Sequence, residues 1–293
     1  MKPFEYYAAT SIQEAIALLN QAGRVFRPLA GGTDLLVQLR HGLRQTDAVV
    51  DIKRIPELNK LSYDPGTGLI VGAVISCARL CTAPDVRNNY PGLVDAASII
   101  GGSAIQERAS LGGNLCNAAP SGDSIPAMIV LGATCTIAGP EGIRTLPVED
   151  ICTNPGQTVL KKGELLVSIH FPPHPANTGA AYFRFTPRRE MDIAVAGAGA
   201  WVALSKDRQI IMDARIAMAA VAPTPLLVKQ AGAALVGCEP DETSITKAAE
   251  VAEAFASPIT DMRGTIAQRR HLVKVLVQRA LRQAILRAKS HTS

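Results

Sequence analysis

The chain has 293 residues, of which 47% are hydrophobic and 19% charged, enough for a sizeable core and two domains. Its formal net charge of +5 is modest for this length, which argues against a strong general attraction for nucleic acid. No apolar run is long enough to span a bilayer, and residues 1–7 lack the apolar core of a secretory signal. We therefore expect a cytoplasmic protein with no membrane span and no nucleic-acid partner.

The start of the chain is typical of a small α/β unit. Ser11 followed by Glu14 indicates a capping box for a helix that ends near Gly23. Apolar periodicity then predicts strands at 27–30, 48–52 and 69–74, with a helix at 34–43. A second unit is expected to begin near residue 76, with helices at 77–83, 93–100 and 124–131 and strands at 135–138, 144–150 and 165–171.

Residues 172–179 are rich in proline, asparagine and glycine, and this composition predicts a linker. Beyond it the sequence predicts strands at 182–185, 194–204 and 210–221, and then helices at 226–236, 245–256 and 269–287. Strands followed by helices indicate an α+β domain. We therefore expect two domains, residues 1–176 and 177–293, the first of them divided near residue 76.

Neither cysteines nor histidines predict a metal site. The six cysteines are scattered singly, and although Cys77 and Cys81 stand four apart, no second pair completes a zinc spacing. His170 and His174 are also four apart, but the two prolines between them prevent the helix that would bring both to one metal. Free thiols in a reducing compartment are the natural interpretation.

Two glycine-rich segments carry the strongest functional signal. They are residues 29–35, Leu-Ala-Gly-Gly-Thr-Asp-Leu, and residues 110–123, Ser-Leu-Gly-Gly-Asn-Leu-Cys-Asn-Ala-Ala-Pro-Ser-Gly-Asp. Paired glycines let a backbone bend through positive φ, and successive N–H groups in such a bend can converge on a phosphate. One loop of this kind is more often an ordinary turn, but two predict a large phosphorylated ligand held from both sides.

The better-known nucleotide motifs are absent. No GxGxxG follows a strand as in a Rossmann fold, and no P-loop pattern is present, which disfavours nucleotide hydrolysis. Gly197 and Gly199 lie inside an apolar run, where close strand packing is the better interpretation. The chain also shows no Ser-His-Asp arrangement for nucleophilic catalysis.

The two glycine segments, together with Arg-Arg-Glu-Met-Asp-Ile-Ala at 188–194, resemble the FAD-binding subunit of molybdenum hydroxylases. That family includes the flavin domain of xanthine dehydrogenase and the medium subunit of carbon monoxide dehydrogenase, and the resemblance covers essentially the whole chain. It implies a two-lobed FAD-binding domain of the vanillyl-alcohol-oxidase (PCMH) type, followed by a smaller α+β domain. The overall fold class is thus α+β.

The same resemblance implies a function and partners. FAD on this chain would take electrons from iron–sulfur clusters and pass them to NAD+, oxygen or another acceptor. A large subunit would hold the molybdenum cofactor and a small subunit two 2Fe–2S clusters, in a dimer of heterotrimers. The resemblance thus puts molybdenum on a partner, and no cluster is expected on this chain because its cysteines are isolated.

The resemblance also implies which residues bind FAD. The pyrophosphate would lie between the backbone of 29–35, with the Thr33 hydroxyl, and residues near 110–117, while Asp123 would accept hydrogen bonds from ribityl or adenosine hydroxyls. Arg184 replaces the lysine of some relatives, and Asn117 replaces a threonine. The full implied set is Leu29, Ala30, Gly31, Gly32, Thr33, Asp34, Leu35, Ile100, Ser110, Gly113, Asn114, Asn117, Asp123, Leu166 and Arg184.

Simpler interpretations stay open for several of these residues. Asp123 could cap a helix beginning at Ser124 or Ile125, Ile100 and Leu166 could be core residues, and Arg184 could form a surface ion pair. At the level of function, the alternatives are a standalone FAD-dependent oxidoreductase of the same fold and a non-catalytic scaffold that has lost FAD.

Overall fold

A computed structural model describes residues 2–188 and 190–291, and it begins with a small parallel sheet. The strands lie in the order β1-β3-β2, and all run in the same direction. The Ser11 hydroxyl accepts a hydrogen bond from the Glu14 N–H, and the Glu14 carboxylate accepts one from the Thr10 N–H at 2.8 Å. The elements of this unit are β1 (Glu5–Ala8), α1 (Ile12–Leu19), β2 (Phe26–Leu29), α2 (Leu35–Arg40) and β3 (Ala48–Asp51).

The second unit contains a five-stranded antiparallel sheet in the order β4-β5-β10-β6-β7. The helix α7 packs on β10, and α5 packs on α8. Short 3-10 turns occupy Pro56–Asn59 and Val148–Asp150. The elements are β4 (Leu61–Asp64), β5 (Gly68–Gly72), α3 (Cys77–Thr82), α4 (Pro84–Asn89), α5 (Pro91–Ala97), α6 (Ser103–Gln106), α7 (Leu111–Asn117), α8 (Ser124–Val130), β6 (Thr134–Gly139), β7 (Gly142–Pro147), β8 (Cys152–Asn154), β9 (Gln157–Thr158) and β10 (Leu165–Phe171).

The third unit is a four-stranded antiparallel sheet, β11-β12-β13-β14, on which the long helix α11 packs. Small residues bring the two layers close: a Cβ atom on Gly179 would lie 2.2 Å from the Ala284 carbonyl oxygen of α11. The helix α10 packs against α11. The elements are β11 (Thr178–Phe185), β12 (Ala196–Leu204), β13 (Ile211–Ala219), β14 (Leu226–Leu227), α9 (Lys229–Ala233), α10 (Glu242–Phe255) and α11 (Ile266–Ser290).

Close packing at Gly197 and Gly199 is confirmed. A Cβ atom on Gly197 would lie 2.3 Å from the Tyr182 hydroxyl, and one on Gly199 would lie 3.2 Å from the Pro126 carbonyl oxygen. The second contact joins β12 to α8, which also packs on β13. The third unit is thereby attached directly to the helices of the second.

The α+β class is confirmed, but some of the predicted elements differ from those observed, and some observed elements were not predicted. The second glycine segment is not a loop over its whole length, because Ser110 caps a helix that already begins at Leu111. The helix predicted at 226–236 is wrong at its start, because Leu226 and Leu227 pair with β13 and the helix begins only at Lys229. The short helix α4 was not predicted, although Pro84 occupies the favoured first position.

The end of the first helix also differs from the predicted one. The first helix ends at Leu19, and Gly23 lies in the following turn with φ of 69°. The first sheet ends at Asp51 and the second begins at Leu61, so the change of sheet precedes residue 76. Among the helices of the described ranges, none combines the length and apolar character needed to cross a membrane.

Candidate functional site

A cavity of about 960 Å³ lies where the first sheet, the helix α7 and the start of β10 meet. Its wall also includes Met191, Asp192 and Ile193 from the segment between β11 and β12. All three units of the fold therefore contribute to one cavity, and its size is at the upper end of the range usual for cofactor sites.

The first glycine segment forms a tight turn at one wall of this cavity. Gly32 has φ of +76°, which favours glycine, and Gly31 packs against the backbone just before the second segment. A Cβ atom on Gly31 would lie only 1.8 Å from the Arg108 carbonyl oxygen. The first glycine segment is thus in direct backbone contact with the residues that lead into the second.

The backbone N–H groups of residues 31–35 are free to bind a ligand. Within the described ranges, none of these five groups donates a hydrogen bond to the backbone or to a side chain. A row of unpaired donors along a glycine turn is a favourable environment for phosphate oxygens. The donor set therefore fits the diphosphate of a dinucleotide.

The second segment is held rigidly beside the first. The Ser110 hydroxyl accepts the Gly113 N–H at 3.0 Å, and the Ser124 hydroxyl donates to the Asn114 side-chain oxygen at 2.7 Å. Across the cavity wall, the Gln38 amide donates to the Asn117 side-chain oxygen at 2.9 Å. This last bond ties α2 to α7, so the relative position of the two segments is fixed.

The ionisable groups of the cavity wall do not form a catalytic cluster. Burial raises the pKa of the Cys116 thiol to about 12, so it stays protonated. Asp34 lines the cavity with its surface exposed, and partial desolvation by the cavity wall raises the pKa of its carboxyl. The guanidinium of Arg144 holds the pKa of Glu164 below its usual range. A protonated thiol is a poor nucleophile, and among the described residues no hydrogen bond joins Cys116 to Asp34 or Glu164.

Most residues of the predicted FAD-binding set line this cavity. The lining members are Ala30, Gly31, Gly32, Thr33, Asp34, Leu35, Ile100, Ser110, Gly113, Asn114, Asn117 and Leu166. Leu29, Asp123 and Arg184 lie outside its lining. Leu29 ends β2 and supports the turn from behind, where its side chain approaches the Cβ position of Gly32 at 3.1 Å.

Asp123 and Arg184 form a buried ion pair next to the cavity. Their side chains are only 9% and 8% exposed, and the Tyr182 hydroxyl donates to the other Asp123 oxygen at 2.8 Å. Burial raises the pKa of Asp123, while the Arg184 charge and the Tyr182 hydroxyl oppose that rise. The idea of a surface ion pair for Arg184 is therefore wrong, and so is helix capping by Asp123, whose side chain makes no capping bond.

Tyr182 was not among the predicted site residues. Its spacing of two residues from Arg184 on a predicted strand was the available signal, because such residues share one face of the strand. Arg188 pairs with Asp192 at the surface, and the neighbouring Arg189 lies outside the described residues. Residues 2–188 and 190–291 contain no group of three or more His, Cys, Asp or Glu side chains able to hold a metal ion.

Family models match nearly the whole chain in two parts. The FAD binding domain in molybdopterin dehydrogenase matches residues 2–174, and the CO dehydrogenase flavoprotein C-terminal domain matches residues 181–284. The carbon monoxide dehydrogenase medium chain of Afipia carboxidovorans is 32% identical over 98% of this chain and 98% of its own length. A putative xanthine dehydrogenase FAD-binding subunit of Escherichia coli is 30% identical over 97% of this chain and 96% of its own length.

Solved structures show the same architecture. A chain of carbon monoxide dehydrogenase from Hydrogenophaga pseudoflava superposes with a TM-score of 0.93 at 33% identity, covering 98% of this chain and 99% of that one. A chain of quinoline 2-oxidoreductase from Pseudomonas putida 86 gives a TM-score of 0.90 at 31% identity, with coverage of 98% and 99%. The predicted resemblance and the predicted fold are both confirmed.

Proposed function

Since the chain belongs to the family of FAD-binding subunits of molybdenum-containing dehydrogenases, we propose that it transfers electrons within a multi-subunit molybdenum hydroxylase. It is an oxidoreductase subunit, and its cofactor is FAD. In this proposal, electrons arrive from iron–sulfur clusters of a partner and leave to NAD+, oxygen or another acceptor. The organic substrate is oxidised on a different subunit.

The observation that carries this proposal is the row of unpaired N–H groups at residues 31–35, facing a cavity large enough for a dinucleotide. These groups and the Thr33 hydroxyl would hold the FAD diphosphate, with Ser110, Gly113 and Asn114 on the other side. Bound FAD supplies the redox chemistry through its isoalloxazine ring. The chain supplies position and shielding, which agrees with a wall that holds no catalytic cluster.

We place the flavin ring against the apolar side chains of the cavity wall. Ile100 and Leu166 line the cavity together with Met191 and Ile193 of the third unit. These side chains would cover the ring and limit its contact with water. Because Ile100 and Leu166 face the cavity, we assign them to FAD rather than to core packing alone.

The buried pair Asp123–Arg184 stays in the proposed FAD-binding set, as does Leu29. Asp123 immediately precedes Ser124, whose hydroxyl holds the Asn114 side chain. Displacing the ion pair would therefore disturb the second glycine segment. Direct contact of Asp123 with ribityl or adenosine hydroxyls, and of Arg184 with the flavin, remain part of the proposal.

The proposed assembly contains a molybdenum-cofactor large subunit and a small subunit with two 2Fe–2S clusters, as a dimer of heterotrimers in the cytoplasm. The proposed domains of this chain are residues 1–176 and 177–293. In support of that division, the second sheet ends at Phe171 and the third begins at Thr178. Within the first domain, the change of sheet favours a division between residues 51 and 61 over one near 76.

The test begins with the absorption spectrum of the purified full chain after addition and removal of excess FAD. We expect flavin bands to remain with the protein. A chain without flavin bands would contradict both the electron-transfer function and a standalone flavin oxidoreductase, and it would favour the scaffold alternative.

The second step separates the subunit from a standalone enzyme. Expressed from its native host with an affinity tag, the chain should bring down subunits that contain molybdenum and iron, measured by elemental analysis. Reduction of NAD+, oxygen and artificial dyes by that complex would then identify the acceptor. A chain that oxidises an organic substrate alone would contradict the subunit role.

A further inference from the structure

One arginine of the third unit is buried without lining the cavity. Arg269, in the first turn of α11, is 4% exposed, and its Nε atom has no hydrogen-bond partner within residues 2–188 and 190–291. Burying a guanidinium costs free energy, and leaving one of its donors unpaired adds to that cost. Since a buried ion pair is weak evidence for stability, the contacts of the other donors indicate what Arg269 does.

The two terminal nitrogens of Arg269 join three segments of the chain. Nη1 donates to the Val195 carbonyl oxygen at 2.9 Å and to the Ala220 carbonyl oxygen at 3.0 Å. Nη2 donates to the Asp261 carboxylate at 2.7 Å. Val195 immediately precedes β12, Ala220 immediately follows β13, and Asp261 lies between α10 and α11. The guanidinium therefore fixes the backbone at one end of the third sheet.

The first of these carbonyls ends a segment that forms part of the cavity wall. Met191 and Ile193 line the cavity, and Val195 follows Ile193 by two residues. The Val195 N–H also donates to the Phe185 carbonyl oxygen at 2.9 Å, so both polar backbone groups of Val195 are bonded. The connection between β11 and β12 thus returns to the sheet at a fixed point, and Arg269 supplies one of the two bonds there.

The second carbonyl connects Arg269 to the second glycine segment. The Ala220 N–H donates to the carbonyl oxygen of Pro120, which lies within residues 110–123, at 2.7 Å. Ala220 has φ of 62°, in the left-handed region that residues with a Cβ atom rarely adopt. Such a conformation persists only where the surrounding contacts hold it. The bonds to Arg269 and Pro120 hold Ala220 at its C=O and N–H groups, and they link the guanidinium to the other side of the cavity.

We propose that Arg269 is a positioning residue of the flavin site, which fixes the third-unit wall of the cavity relative to the second glycine segment. The inference rests on the proposed function of that cavity. Arg269 does not line the cavity and acts only through the carbonyls of Val195 and Ala220. A binding site keeps its geometry when such supporting residues lock the ones that line it, and the planar fork of an arginine can hold two carbonyls at once.

The test measures the Kd for FAD by flavin fluorescence titration of the full chain, and the visible circular dichroism of the flavin at saturating FAD. Arg269→Met removes both carbonyl bonds. It should raise the Kd about tenfold. It should also weaken the flavin circular dichroism, because the surroundings of the ring become less fixed. Arg269→Lys keeps the charge but not the fork, so it should recover part of both signals.

Asp261→Asn is the matched control, because it removes the carboxylate partner of Arg269 and leaves both carbonyl bonds possible. It should lower the melting temperature, since a buried guanidinium loses its counter-charge. Its Kd for FAD should change by less than about twofold. Asp261→Asn combined with Arg269→Met has neither charge, so it should melt higher than Asp261→Asn alone and still show the flavin defect of Arg269→Met.

Thermal denaturation separates positioning from stability. If FAD affinity and circular dichroism follow the melting temperature across these variants, Arg269 only stabilises the fold and the inference is overturned. Wild-type values for both flavin signals in Arg269→Met would overturn it as well. If Arg269→Met does not fold, Arg269→Lys and the double variant provide the same comparison with Asp261→Asn. A wild type that binds no FAD would instead overturn the proposed function.

Discussion

Gly31 is the residue at which the two halves of the proposed FAD site meet. No side chain fits at this position, because a Cβ atom on Gly31 would lie 1.8 Å from the Arg108 carbonyl oxygen. Gly31→Ala should therefore push the first glycine turn away from the second segment. We expect the Kd for FAD to rise at least about tenfold, with a loss of stability of about 1–3 kcal/mol from the overpacking. Flavin fluorescence titration and thermal denaturation measure the two effects.

The matched control for that variant is Gly66→Ala. Gly66 lies in a surface turn between β4 and β5, where a Cβ atom would meet only the Asp64 carboxylate, at an ordinary 3.4 Å. The FAD affinity of Gly66→Ala should equal that of the wild type. Unchanged FAD affinity in Gly31→Ala would show that the contact between the two segments is not needed for the site.

Single residues also mark the limit of prediction from sequence. The turn at Gly31 and Gly32 was predictable, because paired glycines signal a bend by themselves. The partners of Asp123 were not, since the Tyr182 hydroxyl and the Arg184 guanidinium come from a strand about sixty positions later in the chain. In the sequence, a carboxylate just before a helix is equally consistent with a helix cap and with a buried ion pair. Only the tertiary structure distinguishes these two roles.

At the scale of elements, secondary structure was predicted correctly where apolar periodicity extends over many residues. It was predicted wrongly where tertiary contacts determine the local structure. The helices α10 and α11 were predicted near their observed positions because each carries a sustained apolar pattern, whereas β10 was predicted from only a weak alternation. Residues 226 and 227 instead joined a sheet edge through pairing with β13, which local propensity does not record. The helix α7 was not predicted, because its two glycines indicated a loop.

The short helix α7 gives the element-scale prediction. Ser110 caps it through the Gly113 N–H, so Ser110→Ala should cost about 1 kcal/mol of stability and weaken FAD binding. Ser11→Ala is the matched control, because Ser11 caps α1 through the same kind of bond to the Glu14 N–H. It should lose similar stability in thermal denaturation and keep full FAD affinity. Equal effects of the two variants on FAD binding would contradict a specific role for α7.

At the scale of the whole molecule, charged side chains attach the third unit to the second. Arg287 of α11 contacts the Asp95 carboxylate at 2.6 Å and the Ala180 carbonyl oxygen at 2.7 Å. Arg215 of β13 contacts Glu149 at 3.0 Å. Because Met191 and Ile193 of the third unit line the cavity, these contacts also hold its wall in place.

The same junction contains a histidine whose protonation should control stability. The His174 ring packs edge-on against Tyr90, 4.8 Å between centroids, and its Nδ1 lies 3.3 Å from the Thr178 hydroxyl. Burial lowers the pKa of His174 to about 4, with a smaller contribution from His291. In the unfolded chain the imidazole has its ordinary pKa of about 6.5 and takes up a proton at higher pH than in the folded protein.

His174 should therefore destabilise the fold as the pH falls from about 6.5 to about 4, because the unfolded state binds the proton first in that range. The loss in the free energy of unfolding should reach up to about 3 kcal/mol. Carboxylates titrate over part of the same range, so the measurement is the difference between wild type and His174→Gln in denaturant unfolding at several pH values. The free energy of unfolding of the wild type, relative to that of His174→Gln, should fall steadily from pH 6.5 to pH 4. His271→Gln, at an exposed position on α11, should follow the wild type. If the curves of wild type and His174→Gln stay parallel, the junction does not hold His174 in its neutral form.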